Sequence, residues 1–336
     1  MSALHQAYEG TFHEEPAVWL RSGDYEAAVL PGVGANLIAF RDTARNHHYL
    51  REPAAEEMEA FKALPYVHGI PVLFPPNRYE DGKFNWEGKT YQFPVNEAAT
   101  GNHLHGFVYG LPWTVEGYSA DSLESRVTLS LHIDEQHEVY THFPHAFTIR
   151  LQYTLNADGL HQRVQVRNDG QERMPCLMAF HTTINAPFAP ESSAEDCTFK
   201  VTVGERWELS ERLLPTGRYQ ELGEQESKLA EGGLSPFFEE MDNHYRAVPQ
   251  DGRNRMELTD SRSGLKLVYD VGTAYKQWMI WNNKATPGFF CPEPQMNLVN
   301  APNGPDLPAE EIGLIGLAPG ELWEETSRLY LVEHKA

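Results

Sequence analysis

The feature that most constrains this chain is the recurrence of apolar residues at every second position. Val127, Leu129, Leu131 and Ile133 alternate with Thr128, Ser130 and His132, the pattern of a strand with one face buried and the other in water. Phe147, Ile149, Leu151, Tyr153 and Leu155 repeat it as far as Asp158-Gly159, and Val164 and Val166 take it up again. Asp-Gly allows the positive φ of a tight turn, so this stretch predicts a hairpin. Asn85 to Lys89 predicts a second hairpin, with Phe84 and Trp86 facing Tyr91 and Phe93. Leu265, Leu267 and Tyr269 alternate, as do Trp278 and Ile280 against Gln277, Met279 and Trp281. A Pro319-Gly320 turn precedes a last strand around Leu329 and Leu331. One short helix is predicted over Pro53 to Leu64, with proline in its first turn, acids at Glu56, Glu57 and Glu59, and Met58 and Phe61 on one side. The 23 prolines and 26 glycines suit short strands joined by turns. The expectation is an all-β chain: a large antiparallel β-sandwich with few short helices, its halves face to face in a single domain over residues 1–336.

Composition removes several classes of function. The 27 Lys+Arg are outnumbered by 48 Asp+Glu, a formal net charge of −21, and no basic run of five occurs. Phosphate backbones and anionic membranes reward clustered cations, so neither nucleic acid nor membrane is an expected partner. No apolar run approaches the length of a membrane span. The N-terminal MSALHQAYEGTFHEE lacks the basic and apolar regions of a secretory signal. Cys176, Cys197 and Cys291 are odd in number and form no Cys-x-x-Cys pair, which fits a reducing compartment without disulfides or structural zinc. The expected location is the cytoplasm.

Five polar clusters could carry chemistry. In Gly69 to Tyr79 an apolar run ends in Pro75-Pro76, and the stiffened backbone sends Asn77 and Arg78 off in a defined direction. Arg offers a planar fork of donors to hydroxyls or carboxylates, although in isolation Arg78 reads as a turn residue paired with Glu80 or Asp81. His103 and His105 in Asn102 to Phe107 would share a strand face, as a metal site needs, but no acid follows before Glu116. One of the two could instead donate into a cleft while the other packs. His181 lies in the apolar run Ala179 to Asn185, where a histidine is usually structural but tunable by burial. Glu293 stands between Pro292 and Pro294, so its carboxylate position is well specified. Met241 to Tyr245, including Asp242, reads as a polar turn.

Taken in order, Asn77-Arg78, His105 in Leu-His-Gly-Phe, His181, Asp242 and Glu293 resemble the aldose 1-epimerase (galactose mutarotase) family. The segments Leu213-Leu214-Pro215-Thr216-Gly217 and Leu317-Ala318-Pro319-Gly320 are also similar, so the resemblance runs from Gly32 to Tyr330. It implies a galactose mutarotase-like sandwich and interconversion of the α and β anomers of a free hexose. No metal, nucleotide or other cofactor is required. By resemblance Glu293 is the general base and His181 the general acid, while Arg78, His105, Asp242, Asn77 and Gln277 hold the sugar. Trp86, Tyr79 and Trp281 are candidates to stack on its apolar face. Two other readings stay open. Gly69 to Pro75 also resembles hexose-6-phosphate 1-epimerases, although Val108-Tyr109 stands where those usually have Ala-Arg. A non-catalytic carbohydrate-binding protein on the same fold is the other.

Overall fold

The computed structural model describes residues 4–304 and 306–334. The alternating stretches form strands of an eight-stranded antiparallel sheet. Its spatial order is Thr114–Ala120, Glu124–Ile133, Phe147–Asn156, Gly159–Asn168, Leu322–Glu333, Leu265–Asp270, Arg255–Asp260 and Cys197–Val201. In the predicted hairpin Asn156 opposes Gly159, whose φ is +117°. A Cβ there would stand 2.4 Å from the Leu329 carbonyl oxygen, so glycine is what lets the last strand approach this turn.

A second sheet runs Pro215–Gln220, Val203–Leu209, Asp242–Ala247, Gln277–Trp281, Gly288–Gln295, Ala179–Phe180 and Val72–Leu73, and Ile184–Ala186 also pairs with Gly288–Gln295. The inner faces of the two sheets share one apolar cluster, in which Val127, Leu151, Leu267 and Tyr269 of the first meet Phe180, Tyr245, Trp278 and Ile280 of the second. Each such side chain contributes roughly 1.5–3 kcal/mol when fully buried, which sets the strand register firmly. A five-stranded meander from His5–Phe12 to His47–His48 packs alongside.

Several local expectations differ in detail. The second hairpin pairs Lys83–Trp86 with Lys89–Gln92, and Phe84 stacks on Tyr91 with centroids 4.3 Å apart. Its two-residue turn puts Trp86 opposite Lys89 rather than Tyr91 or Phe93, and the indole instead lies against Arg173. The predicted helix is a 3-10 turn, Ala55–Glu57, followed by Met58–Ala63, which buries Met58 and Phe61. Met241 to Tyr245 is no turn: Asp242–Ala247 is a strand, hydrogen-bonded on both sides. The three cysteines are free and buried.

Candidate active site

Strand alternation separates core from site. In Gln277–Trp281 the residues Trp278 and Ile280 enter the core, while Met279 and Trp281 point to the opposite face and line a cavity of about 200 Å³. Glu293 is the register partner of Met279, and Asp242 that of Trp281. Both carboxylates therefore reach the same cavity, together with Tyr66, Val67, Asn77, Arg78, Leu104, His105 and His181.

Two devices bring in the histidines. Ile184 pairs with Phe290, and Ala179 with Gln295, but between these pairs the ladder is interrupted. Pro292 and Pro294, which have no N–H to give, stand in that gap. The facing segment turns its donors the other way, from His181 N to Pro71 O (3.1 Å) and from Thr183 N to Gly69 O (2.9 Å). His181 is thus held at the opening, its Nε2 3.3 Å from Glu293 Oε1.

The second device is left-handed backbone. Arg78–Glu80 pairs with Asn102–Leu104, so Arg78 and Leu104 face the cavity while Tyr79 and His103 face the core. Alternation would send His105 inward beside His103. Its φ of +67° instead rotates it into the cavity, 5.2 Å from the His181 ring. Asn77 matches it with φ +56°, and its carbonyl accepts from His105 N at 2.9 Å. The shared strand face that spacing suggests for His103 and His105 is therefore not formed. His103 packs between Phe93 and Phe107 with Nδ1 2.7 Å from Pro94 O.

Arg78 does not pair with Glu80 or Asp81; Arg212 takes both of those. Arg78 Nε donates to both oxygens of Glu97, at 3.1 and 3.0 Å, and a terminal nitrogen lies 3.0 Å from Glu97 and 3.8 Å from Asp242. Glu97 also accepts from Thr100 and Asn102. Burial alone would raise its pKa, but these hydrogen bonds and the Arg78 charge hold it below the usual carboxylate range.

Electrostatics divides the remaining groups. Burial, then the nearby Asp242, pushes the Glu293 carboxyl well above its ordinary pKa, with Arg78 opposing. Burial raises Asp242 as well. Burial pushes His181 down to about 4 and His105 well below its usual range. Nδ1 of both rings and Oδ1 of Asn77 are buried without a protein partner. His181, Cys291 and Glu293 bring donor atoms within 4.8 Å of one another, a trio that could hold a metal ion.

Gln277 departs from expectation. It lies on the same strand face but beyond the cavity, where its Oε1 accepts from Trp207 Nε1 at 2.8 Å and its Nε2 donates to Glu311 O at 3.1 Å. Both ends are occupied, and it does not line the cavity. Of the aromatic candidates, Trp281 lines the cavity, Tyr79 is wholly buried in the core and Trp86 lies elsewhere. Tyr66, which carried no signal in the sequence, sets its ring 4.7 Å from His105 and 5.7 Å from His181.

Comparison with known proteins follows this geometry. The aldose 1-epimerase family pattern matches residues 16–330. A galactose mutarotase-like protein from Clostridium acetobutylicum superposes with a TM-score of 0.93 at 31% identity, covering 98% of this chain and 99% of that one. A galactose 1-epimerase from Lactobacillus acidophilus shares the fold, with a TM-score of 0.72 at 16% identity over 99% of this chain and 100% of its own. The uncharacterized protein YihR of Escherichia coli is 27% identical over 201 residues, so the match spans 59% of this chain and 59% of that relative.

Proposed function

Because the chain belongs to the aldose 1-epimerase family, we propose that it interconverts the α and β anomers of a free hexose of the galactose or glucose class. The observation that carries this reading is the 3.3 Å approach of His181 Nε2 to Glu293 Oε1 at the wall of the cavity. Mutarotation moves two protons around one carbon: the anomeric hydroxyl loses one and the ring oxygen gains one. Both oxygens are bonded to C1, so two proton carriers a few ångströms apart can address them together. Glu293 takes the hydroxyl proton, His181 protonates the ring oxygen, and the sugar opens to the aldehyde. Rotation about C1–C2 and reclosure with the roles exchanged deliver the other anomer.

The shifted pKa values set where this exchange starts. Glu293 holds a proton more tightly than an ordinary carboxyl, and His181 less tightly than an ordinary imidazole. Their order is thereby inverted in the empty cavity: the single proton of the pair rests on Glu293 and must pass across the 3.3 Å contact to His181 before Glu293 can act as base. Arg78, His105, Asn77 and Asp242 are the hydroxyl-holding groups, and Trp281 and Tyr66 the aromatic walls. Gln277 has no place in this proposal.

Polarimetry on freshly dissolved α-D-galactose and α-D-glucose tests the reading. Each positioned proton transfer contributes about 10²–10⁴-fold, so Glu293→Gln is expected to lose at least that factor in turnover while still binding sugar. His181→Asn is expected to lower kcat more than it raises KM. Near-normal turnover in Glu293→Gln would remove the proposed base. A defect confined to binding in His181→Asn would make that residue a sugar holder instead.

A further inference from the structure

Among the described residues lining the cavity, Arg78 is the only permanent cation, and it is neutralised from behind. Glu97 grips one edge of its guanidinium, through Nε and a terminal nitrogen, is itself held by Thr100 and Asn102, and does not line the cavity. Asp242 presents a second carboxylate 3.8 Å from that same terminal nitrogen. The side toward a ligand therefore offers directional N–H donors with no surplus positive charge. A hydroxyl needs only the donors, whereas a phosphate or carboxylate substituent needs the net charge as well.

We propose that Glu97 is the positioning and specificity residue of this site: it fixes the orientation of Arg78 and cancels its charge, so that the cavity takes uncharged aldoses and turns away anionic ones. This deepens the sugar reading above and rests on it. Glu97 touches no ligand and acts entirely through Arg78.

The test compares the wild type, Glu97→Gln and Glu97→Asp by calorimetric binding of galactose and of galactose 6-phosphate, with kcat and KM for galactose measured alongside. Glu97→Gln keeps the shape of the side chain and removes its charge. It is expected to shift the ratio of the two dissociation constants toward the phosphate by about tenfold, the size of one partly screened charge interaction. KM for galactose should rise severalfold with a smaller change in kcat. Glu97→Asp, which keeps the charge, should hold the ratio near that of the wild type. A merely structural role would weaken both ligands equally, and an unchanged ratio in Glu97→Gln overturns the proposal. Should that variant fail to fold, Thr100→Val, which removes a hydroxyl donated to Glu97, repeats the comparison on a milder scale, and an unchanged ratio there is equally fatal. If the wild type accelerates no sugar, the function above fails, while the binding ratios still decide the role of Glu97.

Discussion

Asp242 and Arg78 pull the Glu293 carboxyl in opposite directions, the anion raising its pKa and the cation lowering it. Asp242→Asn removes the raising charge, so the acid limb of the pH profile of kcat/KM is expected to move down. The absolute rate is also expected to fall, since Asp242 is a proposed hydroxyl holder, which makes the position of the limb the readout. A limb that stays put or moves upward would detach Asp242 from the titration of Glu293. At this scale the sequence was legible in part. Glu293, His181, Arg78, His105, Asn77 and Asp242 are named together only by the resemblance of their order to a family, since in isolation Arg78 and Asp242 read as turn residues, and all six line one cavity. Glu97 could not, because its pairing with Arg78 spans 19 residues and depends on where the turn before Asn102 ends. Tyr66 sits in the 3-10 turn Pro65–Val67, where no periodicity marks a face. Gln277 was placed on the correct strand face, but that face continues past the cavity beneath Trp207, Leu298 and Ile312.

At the scale of elements, the site depends on backbone that alternation does not reveal. Period two identified the strands of the large sheet, since one buried face leaves a clean signature. It also led to the pairing of His103 with His105, because the rule assumes extended backbone and His105 is left-handed. Gly106 follows with φ +70°, and a Cβ on it would stand 2.3 Å from Pro75 O and 2.4 Å from Phe74 C. Those atoms belong to the segment that carries Asn77 and Arg78. Gly106→Ala should therefore cost about 2–4 kcal/mol of stability and reduce activity with it. Gly88, also at positive φ (+81°) but with nothing within 4 Å of its Cβ direction, is the control, with an expected cost of about 1 kcal/mol. Urea unfolding of the two variants measures both. Equal losses would mean that the close approach of the two segments contributes nothing beyond the turn conformation.

For the whole molecule, buried histidines govern the response to acid. Burial lowers His68, His103, His145 and His181 to about 4, and His244 to about 3. In the unfolded chain each titrates near 6.5, so between these values the unfolded state binds more protons. Their contribution is fully present above about pH 6.5 and is lost as the pH falls toward 4. Glu52 and Glu97, held below the carboxylate range, lose theirs at lower pH still. Glu293 and Asp242 run the other way, their contributions declining as pH rises through their raised values. The five histidines outnumber the raised acids Glu239, Asp242 and Glu293, so stability should fall steadily from pH 7 to pH 4.5, as thermal melts across that range would show. A flat profile would mean that these imidazoles are hydrated. The division of Gln277–Trp281 and Gly288–Gln295 into a core face and a cavity face bears on how such a chain can change over generations. Single substitutions on the cavity face can alter chemistry or ligand preference without disturbing the core. An inserted or deleted residue would exchange the two faces, placing Trp278 where Met279 stands and emptying core and site in one event. Length within these strands is therefore held by two selective pressures at once, whereas residue identity on the cavity side answers to only one.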